Sequence, residues 1–227
     1  EKWDVSIITV RLDLLELEQK GLLIRTHGGA VKPNIIINGL FNFEKRISRN
    51  KEKKEYICKA ASELINDGDV IFIDCGSTPY YLSKFITKKN NLRVITNSLP
   101  VVSELINFPQ ITVILIGGEV EPERKAIYGY NAEKHIEEFH VQKAFIGADG
   151  VSIKGGLSSY DGKEAAITKK MAGSADQVIL LCDSSKIEKD CMIKFAPLSI
   201  VDYLVTDKEL DPALVKNYEK QKVKVIL

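Results

Sequence analysis

The sequence predicts an α/β fold in which a mostly parallel sheet is flanked by helices. Short, wholly apolar runs recur along the chain, helical patterns separate them, and almost every run ends in small polar residues. A short apolar run bounded by turn residues is typical of a strand buried on both faces. Strands that alternate with helices favour a parallel sheet, because each parallel connection has to cross back over the sheet.

The composition indicates an ordinary soluble globular protein, and the length allows either one large domain or one domain plus a small appendage. Of 227 residues, 44% are hydrophobic and 28% are charged, and 32 basic side chains balance 31 acidic ones. Any contact with nucleic acid must therefore come from a local patch. No apolar run approaches the roughly 18 residues of a membrane span, and no signal peptide precedes the fold, which predicts a cytoplasmic protein without membrane contact.

The cysteines and histidines predict neither disulfides nor a metal site. The four cysteines lack C-x-x-C spacing, and Cys75 and Cys182 end apolar runs, so reduced core thiols are expected. His135 and His140 are five positions apart, which is the wrong spacing for one helix face. We therefore expect no metal and no cofactor.

Residues 1–33 predict one helix followed by a hairpin. Apolar side chains repeat at helical spacing from Val10 to Leu17, Ser6 is placed to cap the helix, and Gly21 ends it. Two short runs joined through Gly28-Gly29 predict the hairpin. These elements alone are too small to bury a core. They are what a winged helix-turn-helix leaves when its first helices are removed.

In a winged helix-turn-helix, the second helix enters the major groove of DNA and the hairpin contacts phosphates. The candidate DNA-contacting residues are Ser6, Thr9, Arg11, Arg25 and His27. The alternative is an amphipathic helix that packs on the main domain.

Residues 34–50 lack periodicity and predict a linker, and residues 51–227 predict the main domain. The domain opens with a helical pattern from Asn50 to Ile65. Acidic residues interleave with the basic start of this helix, which predicts a solvated face that includes Lys51, Lys53 and Lys54.

The main domain is organised around the stretch from Gly68 to Thr78. The apolar run Val70–Ile73 leads into a polar turn, and a helical pattern begins at Pro79, which suits a first helical turn. A strand, a tight turn and a helix in this order direct free backbone N–H groups beyond the strand. That geometry favours an anion, above all phosphate.

Two interpretations of this polar turn stay open on its residues alone. In the first, Asp74 accepts hydrogen bonds from sugar hydroxyls, because its charge repels a phosphate that the rest of the turn binds. In the second, Ser77 and Thr78 only cap the helix and Gly76 only makes the turn.

Further strands are predicted at Leu92–Ile95, Ile111–Ile116, Lys143–Ile146, Val178–Cys182, Val201–Val205 and Val223–Leu227. Ligands of parallel sheets bind outside the carboxyl ends of the strands. Small polar residues collect at this edge, which predicts a pocket for a phosphorylated polyol with Lys186 as a phosphate-binding cation. Other basic residues on loops are weaker candidates, since such residues are more often solvated: Arg124, Lys125, Lys154 and Lys163.

Several stretches resemble a known family. The order and spacing of Thr9-Val10-Arg11-Leu12-Asp13-Leu14, Glu18, Gly21-Leu22-Leu23 and Arg25-Thr26-His27-Gly28-Gly29-Ala30-Val31 are similar to the signature of the DeoR family of bacterial sugar-metabolism repressors. That family usually has a second arginine where this chain has Leu12. The main domain resembles the family's sensor domain from Glu44 to Asp207.

The resemblance implies a fold shared with ribose-5-phosphate isomerase-like proteins. It also implies a repressor of a sugar-utilisation operon that binds operator DNA as a homo-oligomer and responds to a phosphorylated sugar. The positions that would contact this effector are Asp74, Gly76, Ser77, Thr78, Thr96, Asn97, Ser98, Gly117, Asp149 and Lys186.

Two enzymatic alternatives share this fold class. Isomerases of the ribose-5-phosphate type carry an extra aspartate where this chain has Ile146, and Lys154 is closer to Asp149 than their spacing requires. A coenzyme A-transferase needs a nucleophilic glutamate in a strained turn, whereas Glu164 lies in a helical pattern. We therefore expect a pocket that binds without turnover, with no catalytic residue and no enzymatic activity.

Overall fold

The computed structural model describes residues 7–19, 24–26, 29–31 and 42–227. The chain divides into two compact units, Glu1–Arg46 and Ile47–Leu227.

The N-terminal unit contains helix α1 (Ile7–Gln19) and an antiparallel hairpin of strands β1 (Ile24–Thr26) and β2 (Gly29–Val31). The predicted helix and hairpin are thus confirmed. Thr9 and Arg11 are exposed on α1, and Arg25 pairs with Ala30 in the hairpin. The other two candidate DNA contacts, Ser6 and His27, lie outside the described residues, as do Gly21 and Gly28.

The remaining strands are β3 (Val70–Ile73), β4 (Leu92–Thr96), β5 (Ile111–Leu115), β6 (Glu119–Glu121), β7 (Ala126–Tyr128), β8 (Val141–Ile146), β9 (Gly150–Ser152), β10 (Gly156–Ser159), β11 (Ala175–Leu181), β12 (Ile193–Ala196), β13 (Tyr203–Val205) and β14 (Lys224–Ile226). The helices are α2 (Phe43–Ser48), α3 (Lys51–Ser62), α4 (Pro79–Phe85), α5 (Leu99–Leu105), α6 (Tyr130–Glu137), α7 (Gly162–Gly173) and α8 (Pro212–Lys220), with 3₁₀ turns at Ser184–Lys186 and Leu198–Ile200.

The central sheet has seven parallel strands in the order β14-β13-β11-β8-β3-β4-β5. This arrangement confirms the predicted mostly parallel sheet flanked by helices. From β3 the chain moves outward through β4 to β5, and it then returns to place β8 on the other side of β3. The strand order reverses between β3 and β8, and a crevice for ligands forms at such a point in open parallel sheets.

Two antiparallel additions were absent from the sequence prediction: the β6–β7 hairpin and a small sheet in the order β12-β10-β9. All five of their strands have only three or four residues, too few to show a clear alternating pattern. Gly156, with φ of +73°, begins β10, and a Cβ there would lie 2.2 Å from the carbonyl oxygen of Ala196. Only glycine therefore fits this close approach between β10 and β12.

The core lies in two clusters on opposite faces of the sheet. Along β3, Phe72 belongs to one cluster, and Ile71 and Ile73 belong to the other. Residues 42–227 hold all four cysteines, and each is buried and free, as expected. None of the helices in the described part of the chain is long and apolar enough to cross a membrane.

Candidate ligand-binding site

Asp74 lies directly after β3, at the point where the strand order reverses, and its side chain is buried beneath the carboxyl edge of the sheet. Its carboxylate accepts hydrogen bonds from the backbone N–H groups of Cys75 (2.8 Å) and Gly147 (3.1 Å). The hydroxyl of Thr168 on α7 donates a third, at 3.3 Å. Asp74 is only 1% exposed. Its carboxylate therefore joins the ends of β3 and β8 to α7.

Burial raises the pKa of Asp74 to about 6, and the negative charge of Glu164 contributes to the same shift. The hydrogen bonds from Gly147 and Cys75 act in the opposite direction, because they stabilise the charged form.

Lys54 is a residue of this edge that the sequence prediction missed. Its ammonium group donates to the hydroxyl of Ser77 at 3.1 Å, and Lys54 is 3% exposed. The prediction of a solvated face is therefore wrong for Lys54. The sequence did contain a signal for the burial of Lys54. This residue precedes Ile57, Cys58 and Ala61 at helical spacing, so it lies on the apolar face of α3.

Thr78 occupies the N-cap position of α4, but its side chain makes no capping hydrogen bond. The capping interpretation therefore fails for Thr78. Its carbonyl oxygen accepts from the thiol of Cys58 at 3.0 Å. The segment Gly76–Thr78 is thus held against α3 by contacts from Lys54 and Cys58.

Thr96 ends β4 and Ser98 follows two residues later, and both are fully buried and use their hydroxyls within the fold. Thr96 donates to the carbonyl oxygen of Ile73 (2.6 Å) and accepts from the backbone N–H of Ser98 (3.1 Å). Ser98 caps α5, as predicted, by accepting from the backbone N–H of Val101 at 3.4 Å.

Asn97 is also fully buried, because the β6–β7 hairpin covers the end of β4. Its side-chain amide donates to the carbonyl of Ile127 (3.0 Å), and its own carbonyl accepts from the N–H of Ile127 (2.9 Å). The side-chain oxygen of Asn97 accepts no hydrogen bond from any residue that the structure describes. Gly117, by contrast, is exposed and donates its N–H to His135 at 3.1 Å.

The structure brings Lys186 and Asp149 together, as the shared edge predicts. The ammonium of Lys186 donates to the carbonyl of Ala148 (2.8 Å) and lies 3.9 Å from the Asp149 carboxylate. That carboxylate also accepts from the Ser159 hydroxyl (3.0 Å) and the N–H of Tyr160 (3.2 Å). The turns that follow β8 and β11 are thereby connected.

Arg124 is buried, contrary to the prediction that it is a solvated loop cation. It forms ion pairs with Glu164 and, at 3.2 Å, with Asp161. Arg124 and Glu164 are 6% and 7% exposed. An exposed pair between Lys163 and Glu121, at 3.7 Å, joins the same hairpin segment and helix. The ion pairs of Arg124 therefore hold the β6–β7 hairpin, which covers the end of β4, against α7.

We define the rim as Gly76–Thr78 and Gly147–Asp149 together with Lys54 and Lys186. It brings hydroxyls, backbone N–H groups and two cations to the ends of β3 and β8, where the strand order reverses. These groups suit an oxyanion better than a metal ion. Within the described residues, no three His, Cys, Asp or Glu side chains are grouped to hold a metal.

Comparison with known proteins identifies the family. A model of the DeoR-like helix-turn-helix domain matches residues 1–35, and a model of the DeoR C terminal sensor domain matches residues 49–208. The chain belongs to the DeoR family. The resemblance inferred from the sequence is therefore confirmed.

Similar DeoR-family proteins include the lactose phosphotransferase system repressor of Streptococcus mutans, which is 40% identical over 95% of this chain and 86% of its own length. The glycerol-3-phosphate regulon repressor of Escherichia coli is 31% identical over 91% of this chain and 81% of its own. A solved D-ribose-5-phosphate isomerase in complex with phospho-erythronic acid aligns with TM-score 0.45 and 20% identity over 60% of this chain and 54% of that chain. As a member of the DeoR family, this chain is a DNA-binding transcriptional repressor of sugar metabolism.

Proposed function

We propose that a phosphorylated sugar binds at the rim and controls the affinity of this repressor for operator DNA. The observation that carries the proposal is the pair of cations at the switch point of the sheet. Lys54 contacts the turn after β3, and Lys186 contacts the turn after β8. One relative is named the glycerol-3-phosphate regulon repressor. Glycerol 3-phosphate is a phosphorylated polyol, so this name supports the proposed ligand class.

The rim offers separate partners for the two ends of such a ligand. Lys54 and Ser77, with the backbone of Gly76–Thr78, would bind the phosphate, because charge-assisted hydrogen bonds to phosphate are strong. Asp149 and Lys186 are half-buried and would bind sugar hydroxyls, which both donate and accept.

Four other members of the predicted ligand set would act indirectly, through the fold. Asp74 and Thr96 hold the ends of β3, β4 and β8 together from beneath. Asn97 and Ser98 lie under the β6–β7 hairpin. We assign these four residues to positioning of the rim, whereas Gly117 lies at the end of β5, two strands from the switch point.

Ligand and operator would influence each other through the protein. By linkage, each changes the affinity of the other by the same factor, typically 5–150-fold. Symmetric operators and the family pattern support a homo-oligomer.

The proposal predicts a selective thermal shift. Phosphorylated sugars are expected to raise the midpoint of unfolding, and the matching unphosphorylated sugars are not. A ligand at 100 times its dissociation constant adds about 2.7 kcal/mol to the free energy of unfolding. The variant Lys186→Ala should lose most of this shift. A screen without any phosphate-dependent shift, or turnover of ribose 5-phosphate, would contradict the proposal.

A second prediction concerns Lys54. The variant Lys54→Gln is expected to weaken binding of the phosphorylated sugar found in the screen by about 10- to 150-fold, because one charged hydrogen bond contributes about 1.5–3 kcal/mol. Titration calorimetry measures this change. Lys59 is exposed on the same helix, and Lys59→Gln is the matched control. Equal affinity of both variants would place the phosphate elsewhere.

A further inference from the structure

The first residues of the C-terminal unit pass along the carboxyl edge of the sheet. We call Ile47–Lys54 the strap. At its start, the carbonyl of Ile47 accepts a hydrogen bond from the Tyr81 hydroxyl at 3.1 Å. At its end, Lys54 contacts Ser77 on the rim. The strap is therefore held at both ends by residues of the segment that follows β3.

The middle of the strap contacts the turn that carries Lys186. The side-chain amide of Asn50 lies 3.4 Å from the carboxylate of Asp183 and 3.5 Å from the hydroxyl of Ser185. Asn50 has φ of 53°, in the left-handed region, where asparagine is among the better tolerated residues. This backbone bend starts α3 directly against the 3₁₀ turn Ser184–Lys186.

Lys53 connects the strap to two further turns. Its ammonium lies 3.0 Å from the Ser184 hydroxyl, 3.3 Å from the Asp207 carboxylate and 2.6 Å from the Glu209 carboxylate. Asp207 in turn accepts from the N–H (2.7 Å) and hydroxyl (2.9 Å) of Ser184. The side chains of Lys53 and Asp207 are 22% and 6% exposed, so the ion pair between them is screened less than a fully solvated pair.

We propose that the strap transmits the state of the rim to the DNA-binding unit. Lys186 belongs to the same short turn as Ser184 and Ser185, which contact Lys53 and Asn50. A ligand that moves Lys186 therefore shifts the contacts that hold the strap. Residue 47 follows directly on the N-terminal unit, so movement of the strap moves the point to which that unit is attached. This inference rests on the proposed ligand site and adds its route of regulation.

The strap is tested first without any small molecule. In the full-length protein, Lys53→Gln removes the ion pairs with Asp207 and Glu209. We expect it to change the dissociation constant for a DNA fragment that carries the promoter beside its own gene by at least about fivefold, the lower end of typical allosteric coupling. Lys53→Arg keeps both ion pairs. Its dissociation constant for the DNA fragment should therefore stay within about twofold of the parent's value.

A matched control separates coupling from loss of surface charge. Lys51 is exposed on the same helix, and Lys51→Gln should leave the affinity for the DNA fragment unchanged. The thermal midpoint of each variant shows whether its fold is intact. If Lys53→Gln and Lys51→Gln bind the fragment as the parent does, the strap carries no signal and the inference is overturned. A change of equal size in both variants would also overturn it.

Amide hydrogen exchange with millimolar inorganic phosphate as the probe distinguishes the two proposals. Phosphate bound at the rim should alter exchange across the strap in the parent and much less in Lys53→Gln. If exchange changes equally in both, the strap does not depend on Lys53 and the inference fails. If phosphate has no effect while Lys53→Gln still changes DNA affinity, the ligand site is misplaced and the strap retains its role.

Discussion

Replacing Asp74 with alanine is expected to lower the free energy of unfolding by about 2–6 kcal/mol. The loss leaves two backbone N–H groups, those of Cys75 and Gly147, without their acceptor at a buried position. Each unsatisfied buried donor costs about 1–3 kcal/mol. Chemical denaturation measures the change. The variant Asp74→Asn keeps the shape of the side chain and one acceptor oxygen. It should therefore lose less unfolding free energy than Asp74→Ala does.

The same carboxyl predicts a pH dependence with a definite sign. The pKa of Asp74 is raised to about 6 by burial, with a contribution from Glu164, against about 3.9 in an unfolded chain. The folded protein therefore holds this proton more tightly than the unfolded chain does. This carboxyl favours folding at low pH, and its contribution is lost as the pH rises through about 6.

Relative to Asp74→Asn, which does not titrate, the parent should lose about 2–3 kcal/mol of stability between about pH 4 and pH 7. Unfolding curves at several pH values measure this difference. A difference that stays constant with pH would show that Asp74 titrates at its ordinary value. An alanine variant as stable as the parent would show that the link between β3 and β8 does not depend on this side chain.

The variant Arg124→Met is expected to destabilise the protein by about 3–5 kcal/mol, because it leaves the buried carboxylate of Glu164 without its main counter-charge. The double variant Arg124→Met/Glu164→Leu should recover most of this loss, since it removes both charges and fills the space with apolar atoms. Denaturant unfolding of the two single variants and the double variant measures the coupling.

The exposed pair Lys163–Glu121 is the matched control, because it joins the same hairpin segment to the same helix. Breaking it with Lys163→Met should cost no more than about 1 kcal/mol. If Arg124→Met costs as little as Lys163→Met, burial does not strengthen the pair, and Arg124 does not fasten the segment that covers β4.

The sheet and its edge were predictable because their signals are local. Apolar runs such as Val70–Ile73 and the polar residues after them lie next to one another in the sequence. In a parallel sheet, such turns necessarily collect on one edge. This rule placed Asp149 and Lys186 at the same edge, whereas their contact with each other was not predicted.

The direction of each side chain at the edge was not predictable in the same way. Lys54 contacts Ser77, which is 23 positions away, and Arg124 pairs with Glu164, which is 40 positions away. Neither partner is visible in a local pattern. Thr96, Asn97 and Ser98 end a strand as expected, yet three-residue strands that have no clear signal of their own cover them.

The distances along the chain between contacting residues have a consequence for synthesis. Lys53 and Glu209 are separated by 156 residues. At about 5–20 residues per second, a ribosome needs roughly 8–30 seconds to make the partner after the lysine. For that time residues 1–46 have already been made, but the contact between Lys53 and Glu209 cannot form. If the rim binds its effector as proposed, the effector can therefore act on this regulator only after translation of the chain is nearly finished.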